Sequence, residues 1–154
     1  MNNLTRHLTD AVESAEKVLG IAVKNWLFTQ EGFPEHEKAL YIASQTVELA
    51  HINCNSLKAV QGIMLGLMNQ SEEGNKFLSE AYEAIDYLFQ EHPNDRLDVT
   101  RNLLCDGMTA VNEKDIAKAQ DVMGTLGEIS DTVRGSLLEH LSALETELGM
   151  GDVH

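Results

Sequence analysis

The chain has 154 residues, and 43% of them are hydrophobic, so it is long enough to form about one domain and to bury a core without a disulfide or a metal. Acidic residues outnumber basic residues by 25 to 11, which gives a formal net charge of −14. This charge argues against nucleic acid and against an anionic membrane surface as partners, because both attract lysine and arginine. It permits a partner protein with a basic surface.

The composition favours helices and a reducing compartment. Proline occurs only twice and aromatic residues are few, whereas alanine, leucine, glutamate and methionine are common. The two cysteines, Cys54 and Cys105, form no Cys-x-x-Cys motif, and Cys54 falls within an apolar stripe where a buried thiol is expected. The first residues lack a signal-peptide core, and no apolar run is long enough to span a membrane. We therefore expect a cytoplasmic protein.

The first two predicted helices are long and amphipathic. Apolar residues recur at alternating spacings of four and three over residues 3 to 28, which is the pattern of one buried helical face. A turn is predicted over residues 29 to 33, and Pro34 then suits the first turn of the second helix. That helix is predicted to run from 34 to about 69 with coiled-coil heptads. Residues 51 to 56 are polar and poor helix formers, so a bend would be easiest there.

Proline and glycine divide the next part of the chain into two shorter helices. Residues 71 to 75 are predicted to form a turn, and the third helix follows from about 75 to 92. Pro93 ends it, because proline cannot continue a helix. A fourth helix is predicted from about 95 to 106, with Gly107 placed like a C-terminal cap.

The fifth predicted helix carries an apolar stripe along its length. Asn112, followed by two acidic residues, is a helix-start signal, and the helix is predicted to run from there to Leu148. Gly124, Gly127 and Gly135 lower its intrinsic helix propensity by about 1 kcal/mol each relative to alanine. We expect these glycines to permit the close approach of a neighbouring helix.

These elements predict an all-α fold, namely an antiparallel up-down helical bundle of four to five helices, two of them of about 35 residues. The third and fourth helices are predicted to form one rod broken at Pro93, and a hairpin is the alternative. The first rod is shorter than the others and leaves part of the apolar seam uncovered, which a homodimer would cover. We expect one domain over residues 1 to 149 and a flexible tail over residues 150 to 154.

Glu48 and His51 have the Glu-x-x-His spacing with which two residues, one helical turn apart, bind a metal in di-iron bundles. Such a site needs a second Glu-x-x-His on another helix, and the sequence has none. Both residues also flank the apolar seam, so we predict a solvated pair. His51 with Lys58 and Gly62 loosely resembles a histidine phosphotransfer helix, although residues 53 to 55 are Asn-Cys-Asn where that family places a lysine and a small residue.

Acidic and polar residues on the third and fourth helices form a second candidate site. They are Glu80, Glu83 and Asp86 on the third helix and Asp98, Asn102 and Asp106 on the fourth. Hard oxygen ligands of this kind are what Mg²⁺ with a nucleotide phosphate requires. The other interpretation is a solvated acidic face opposite the apolar stripe of the third helix.

The stretch from Leu78 to Asp86 resembles the metal-binding helix of the all-α, MazG-type nucleoside triphosphate pyrophosphohydrolases. In that family a Glu-x-x-Glu helix is followed by a Glu-x-x-Asp helix. The resemblance covers about ten residues, and Val99 and Asn102 stand where the second acidic pair would be. It implies a Mg²⁺-dependent enzyme. The candidate metal ligands under this alternative are Glu80, Glu83, Asp98 and Asp106.

Half of the eight aromatic residues lie on the third predicted helix, namely Phe77, Tyr82, Tyr87 and Phe89. Their spacing places Tyr82 and Phe89 on the inward face, and Phe77 and Tyr87 on other faces. The last two are either half-buried against a neighbouring helix or part of a protein-binding patch, since tyrosine and phenylalanine favour the cores of interfaces. These four residues are the candidate interface.

The expected function follows from the class of protein and not from a motif. The sequence has no Gly-rich phosphate loop and no nucleophile tied to a base, so we predict no catalytic residue and no cofactor, with Mg²⁺ required only under the pyrophosphohydrolase alternative. We expect a non-enzymatic interaction protein that binds, inhibits or chaperones another protein. Residues 71 to 98 hold eight acids against two bases and half of the aromatics, so this stretch is the predicted working surface.

Overall fold

The computed structural model describes residues 3–30 and 37–147, and every regular element in these ranges is a helix. The helices are α1 (Asn3–Gln30), α2 (Glu37–Leu67), α3 (Ser71–Glu91), α4 (Asp95–Glu113) and α5 (Ile116–Glu147). No strand occurs in the ranges described, and the all-α prediction is confirmed. The predicted helix start at Pro34 and the predicted tail over residues 150 to 154 lie outside the described residues.

The connection between α2 and α3 is shorter than predicted. The turn lies at residues 68 to 70, where Asn69 adopts the left-handed conformation with a φ of 65°. Asparagine tolerates this conformation better than most side chains, so the turn needs no glycine. The predicted turn over residues 71 to 75 is therefore wrong. α3 begins at Ser71, and Gly74 is a buried residue inside the helix.

α4 is longer than predicted because Gly107 does not end it. The helix continues to Glu113, and Gly107 is buried in its middle. A Cβ added at Gly107 would lie 3.0 Å from Ile63 Cδ1 of α2. Glycine is present here because the two helices pack closely, and the predicted C-terminal cap is wrong.

The boundary between α4 and α5 also lies further along the chain than predicted. Lys114 ends α4 in the left-handed conformation with a φ of 58°. Asp115 then starts α5, since its Oδ1 accepts a hydrogen bond from the Lys118 amide at 3.1 Å. Asn112 is not the helix start. Its Oδ1 instead accepts a hydrogen bond from Asn75 Nδ2 of α3 at 2.8 Å.

α3 and α4 fold back on each other at Pro93. Arg101 Nη1 of α4 donates to Asp86 Oδ1 of α3 at 2.9 Å, and Asn75 near the start of α3 reaches Asn112 near the end of α4. Such pairs are adjacent in a hairpin and far apart in one continuous rod. The predicted rod broken at Pro93 is therefore wrong, and the contacts are those of the alternative, the hairpin.

α2 is the central helix and contacts each of the other four. It continues without interruption through residues 52 to 56, which are all buried. Two of the polar side chains there find partners: Asn55 Nδ2 donates to the His51 carbonyl oxygen, and Ser130 Oγ of α5 donates to Asn53 Oδ1, both at 2.8 Å. Asn53 and Asn55 thus serve as internal contacts, and the helix is continuous where their composition suggested a bend.

Glycines bring α2, α3 and α4 together at one end of the bundle, which we call the closed end (Gly62, Gly66, Gly74 and Val111). A Cβ added at Gly62 would lie 2.7 Å from the Gly74 carbonyl oxygen. One added at Gly66 would lie 2.6 Å from Val111 Cγ1. Neither distance leaves room for a side chain, so the helices are packed backbone against backbone or against a β-branched side chain.

The three glycines that were predicted to permit close approach do not do so. At Gly124, Gly127 and Gly135 of α5, an added Cβ would meet no heavy atom of the described chain within 4 Å. Their helix face is open, and the prediction for them is wrong.

The core is mainly aliphatic. Its fully buried side chains include Ile52, Ile63, Leu78, Ile85, Leu97, Leu104, Leu126, Leu137 and Leu144. Cys54 is also buried, and burial together with the nearby Glu16 raises the pKa of its thiol to about 11, so the thiol stays protonated at neutral pH. None of the described helices is long and apolar enough to cross a membrane.

Candidate functional site

A groove of about 1000 Å³ lies away from the closed end, between the C-terminal part of α1, the N-terminal half of α2 and the hairpin turn of α3 and α4. We call this region the open end and the concavity the groove. Its aromatic lining residues are Trp26, Tyr41 and Tyr87, and its charged ones are Glu48, Glu91, Asp95 and Arg96. A smaller depression of about 570 Å³ at the α2–α3 turn is lined by polar residues alone.

The aromatic rings of the groove are large and accessible. Tyr41 and Tyr87 are each 66% exposed, and the half-buried Trp26 packs on Ala39, Ala43 and Leu144. Burying an aromatic ring is strongly favourable, so rings left open in a concave surface mark a place where a ligand gains by covering them.

Polar contacts connect Tyr41 to α5 even though its ring is exposed. Gln45 Nε2 donates to the Tyr41 hydroxyl at 2.9 Å, and Gln45 Oε1 lies 3.2 Å from His140 Nε2. His140 Nδ1 in turn donates to the Ser136 carbonyl oxygen at 2.7 Å. This chain of contacts restrains the phenol, so that part of the groove is formed before anything binds.

Glu48 joins α2 to the hairpin turn at the floor of the groove. Asn94 Nδ2 donates to Glu48 Oε1 at 2.8 Å, and Arg96 Nε lies 3.8 Å from Glu48 Oε2. Asn94 Oδ1 also accepts the Leu97 amide at 3.0 Å and so caps the start of α4. The side chain of Glu48 is only 20% exposed, so its prediction as half of a solvated pair is wrong.

His51 lines the same groove one helical turn after Glu48. Its Nδ1 is buried and has no hydrogen-bond partner among the described residues. Burial lowers the pKa of the imidazole, because charging it would require removing the ion from water. His51 is therefore neutral near pH 7 and leaves the charge of the groove to its carboxylates and to Arg96.

Glu91 and Asp95 are the two carboxylates of the groove without an ion pair in the described part of the chain. Both are exposed, and neither makes an ion pair with any residue of the described chain. They lie on either side of the hairpin turn, at the end of α3 and at the start of α4. With Glu48 already held by Asn94 and Arg96, these two groups give the groove its free negative charge.

The structure separates the four predicted interface residues. Tyr87 lines the groove. Tyr82 and Phe89 are half-buried against the core, and the Arg101 guanidinium lies 3.8 Å from the centre of the Phe89 ring. Phe77 is half-buried beside Gly62 at the closed end. Their role as an interface stays a prediction.

Two of the four predicted metal ligands pair with basic side chains of the chain, and the other two are exposed. Glu80 Oε2 lies 3.3 Å from Lys58 Nζ, and Asp98 Oδ1 accepts a hydrogen bond from Arg101 Nη2 at 3.0 Å. Glu83 and Asp106 are exposed. Among the residues described, no group of three or more histidine, cysteine, aspartate or glutamate side chains is placed to hold a metal ion.

The sequence analysis did not select Trp26, Tyr41, Glu91 or Asp95. A signal for Tyr41 exists, since this large aromatic residue is out of phase with the apolar stripe of α2 and thus falls on its outer face. The same argument applies to Tyr87. Trp26 sits in the apolar stripe of α1, and nothing in its spacing distinguishes it from a core residue.

Comparison with protein families, with curated proteins and with solved structures finds no match for this chain.

Proposed function

We propose that this protein is a non-enzymatic interaction module that binds, inhibits or regulates another protein through the groove at its open end. The observation that carries the proposal is a groove of about 1000 Å³ in which two tyrosines are 66% exposed. Tyrosine and tryptophan are enriched in the residues that dominate protein interfaces. Because Tyr41 is restrained through Gln45 and His140, the surface requires little rearrangement on binding.

In this proposal residues 1 to 149 form one domain, an antiparallel up-down bundle that acts in the cytoplasm. Support for antiparallel packing comes from the pairs between α2 and α5. Lys38 lies 3.0 Å from Glu147, and Gln45 lies 3.2 Å from His140, so residue numbers rise along one helix as they fall along the other. The compact closed end would hold the helices in place while the open end stays accessible.

A homodimer is a further part of the proposal. Gly124, Gly127, Gly135 and Leu138 share the outer face of α5, and Leu138 is 52% exposed. A second copy would cover this face, since helices approach most closely where glycines remove side chains. Sedimentation equilibrium tests this point. We expect the wild type to dimerise and Leu138→Glu to be monomeric, and a monomeric wild type would refute it.

No contact favours the pyrophosphohydrolase alternative over the interaction module. Lys58 and Arg101 pair with Glu80 and Asp98, two of the four candidate ligands. A magnesium ion would have to displace these cations before binding, at the loss of the ion pairs. We therefore do not propose catalysis.

The proposal is tested by placing a photo-crosslinking amino acid at Tyr87 and, as a matched control, at Ile116. Both residues are well exposed, at 66% and 59%, but Ile116 starts α5 and does not line the groove. The two proteins are expressed in the native host, irradiated and analysed by mass spectrometry. We expect one protein to crosslink at position 87 and not at position 116.

A second pair of proteins separates specific binding from background. Tyr41→Ser, combined with the crosslinker at Tyr87, removes one aromatic wall of the groove and is expected to reduce the crosslinked partner by about tenfold, in line with the loss of an interface hot spot. Ile116→Ser in the same background is expected to change nothing. Equal crosslinking at both positions, or none at position 87, would overturn the proposal.

A further inference from the structure

The rings and carboxylates of the groove have complementary properties. Tyr41, Tyr87 and Trp26 offer aromatic faces, which attract cations through the negative charge of the ring face. Glu91 and Asp95 offer carboxylates without a counter-charge in the described chain. A side chain with a planar or apolar stem and a positive end can contact both the rings and the carboxylates.

The charge of the groove is net negative near pH 7. The carboxylates Glu48, Glu91 and Asp95 outnumber the basic side chains that line the groove beside His51, namely Arg96, whose Nε lies 3.8 Å from Glu48 Oε2, and His92. The buried His51 adds no charge. An acidic or purely apolar segment in the groove would leave the carboxylates near the hairpin turn without counter-charge, whereas a basic segment would neutralise them.

The chain itself contains the arrangement that such binding requires. Between α3 and α4, the Arg101 guanidinium stacks 3.8 Å from the centre of the Phe89 ring, while its two terminal nitrogens donate to Asp86 and Asp98 at 2.9 and 3.0 Å. One aromatic ring and two carboxylates, contributed by α3 and α4, are thus enough to orient one arginine. The groove offers the same kinds of group from α2, α3 and α4, and the arginine that lines it, Arg96, lies 3.8 Å from Glu48 Oε2 and makes no ion pair with Glu91 or Asp95.

We propose that the groove binds an arginine or lysine side chain carried by a basic segment of the partner protein. The cation packs against Tyr41 and Tyr87 and pairs with Glu91 and Asp95. This assignment deepens the proposed function and rests on it. The net charge of −14 adds a long-range attraction that brings a basic partner to the surface, and the groove then selects the side chain.

Trp26 is the only tryptophan of the chain and lines the groove, so its fluorescence reports on the site directly. The protein is titrated with a short peptide that alternates arginine with glycine, with its lysine version, and with a version in which citrulline replaces arginine. Citrulline keeps the shape of arginine and removes its charge. We expect saturable changes with the arginine and lysine peptides and none with the citrulline peptide.

Two double variants with the same change in net charge separate the groove from general attraction. Glu91→Gln with Asp95→Asn is expected to weaken the arginine peptide by about tenfold, which corresponds to about 1.4 kcal/mol. Asp121→Asn with Glu128→Gln removes two exposed acids of α5 outside the groove and is expected to weaken it by less than about twofold, because screening limits distant charges.

The outcomes also distinguish this inference from the proposed function. Equal binding of the citrulline peptide, or equal losses in the two double variants, would overturn the assignment of a cation. If a partner still crosslinks at Tyr87 in that case, the interaction module stands with a different occupant. If no protein crosslinks at Tyr87, the proposed function itself fails, whatever the peptides do.

Discussion

The two ends of α2 show opposite solutions to helix packing. At the closed end Gly62 meets Gly74 so closely that a Cβ at Gly62 would lie 2.7 Å from the opposing carbonyl oxygen. At the open end a groove of about 1000 Å³ remains, and Trp26, Tyr41 and Tyr87 line it. Glycines thus let the helices meet at one end, whereas large side chains line the space that stays open at the other.

This difference assigns separate tasks to the two ends. Close packing at the closed end excludes water and contributes stability. The open end exposes apolar area that folding alone does not cover, which is a typical property of binding surfaces. Substitutions at the closed end should therefore affect the free energy of unfolding, and substitutions at the open end should affect binding. The following predictions test this division, from the largest expected effect to the smallest.

Gly74→Ala should destabilise the closed end. The added Cβ would collide with the Gly62 carbonyl oxygen, a backbone atom that cannot rotate away. We expect the free energy of unfolding in urea to fall by about 2–3 kcal/mol, as for overpacked cores. Gly20→Ala on the open surface of α1 is the matched control and should raise it by about 0.5–1 kcal/mol, because alanine favours the helix. A neutral Gly74→Ala would mean that the closed end is looser than the structure shows.

Removal of a buried hydroxyl near the middle of α2 should change the free energy of unfolding in a direction that depends on whether that hydroxyl has a hydrogen-bond partner. Ser130 Oγ donates to the buried Asn53 Oδ1, so Ser130→Ala leaves that oxygen unpaired and should lower the free energy of unfolding by about 1–2 kcal/mol. Ser56 Oγ is buried with no partner among the described residues. Ser56→Ala should therefore raise the free energy of unfolding by up to about 1 kcal/mol. Chemical unfolding measures the free energy of unfolding of both variants. A change of the same sign in both would contradict this prediction.

His51 should make stability fall in mild acid. Burial lowers its pKa below the unfolded value of about 6.5, so the unfolded chain takes up a proton at a higher pH than the folded protein. The stabilising contribution of neutral His51 is fully present above the unfolded pKa. It is lost as the pH falls from the unfolded pKa towards the folded pKa. Urea unfolding across this window should show a steeper loss for the wild type than for His51→Gln. Parallel curves would show that His51 is not the group responsible.

Tyr87→Ala should have the smallest effect on stability. The ring is 66% exposed, and substitutions at such surface positions usually change the free energy of unfolding by less than about 0.5 kcal/mol. Its effect on partner crosslinking or peptide binding should be large by comparison. A loss of more than about 1 kcal/mol, measured by the same urea unfolding, would place Tyr87 in the folding core and weaken the division between the two ends.

The helices themselves were predictable, and their contacts were not. The apolar spacing of three and four residues is a local signal, and α1, α3 and α5 lie close to their predicted ranges. A glycine gives no such local signal, because its structural role depends on which residues pack against it. Gly124 and Gly135 face open space, while a Cβ added at Gly62 or Gly74 would collide with the backbone of the other glycine. Likewise, the position of Asn112 in the sequence suggested a helix start, whereas in the structure this residue contacts α3.

The residues of the candidate site were only partly predictable for the same reason. The stretch around Pro93 is acidic and aromatic in the sequence, and it does border the groove through Tyr87, Glu91 and Asp95. Trp26 and Tyr41 join them from two other helices. Neither is close to Pro93 in sequence, and only the packing of the helices brings them to the same place.

By itself, the sequence determined the helical content, the break at Pro93 and the acidic charge, because these depend on propensity, on a missing backbone N–H and on composition. The tertiary structure decided that α2 lies at the centre and that α3 and α4 form a hairpin. It also decided that the bundle is closed at Gly62 and open at Tyr41. These features arise where residues distant in sequence meet, and the periodicity of one helix does not specify its neighbour.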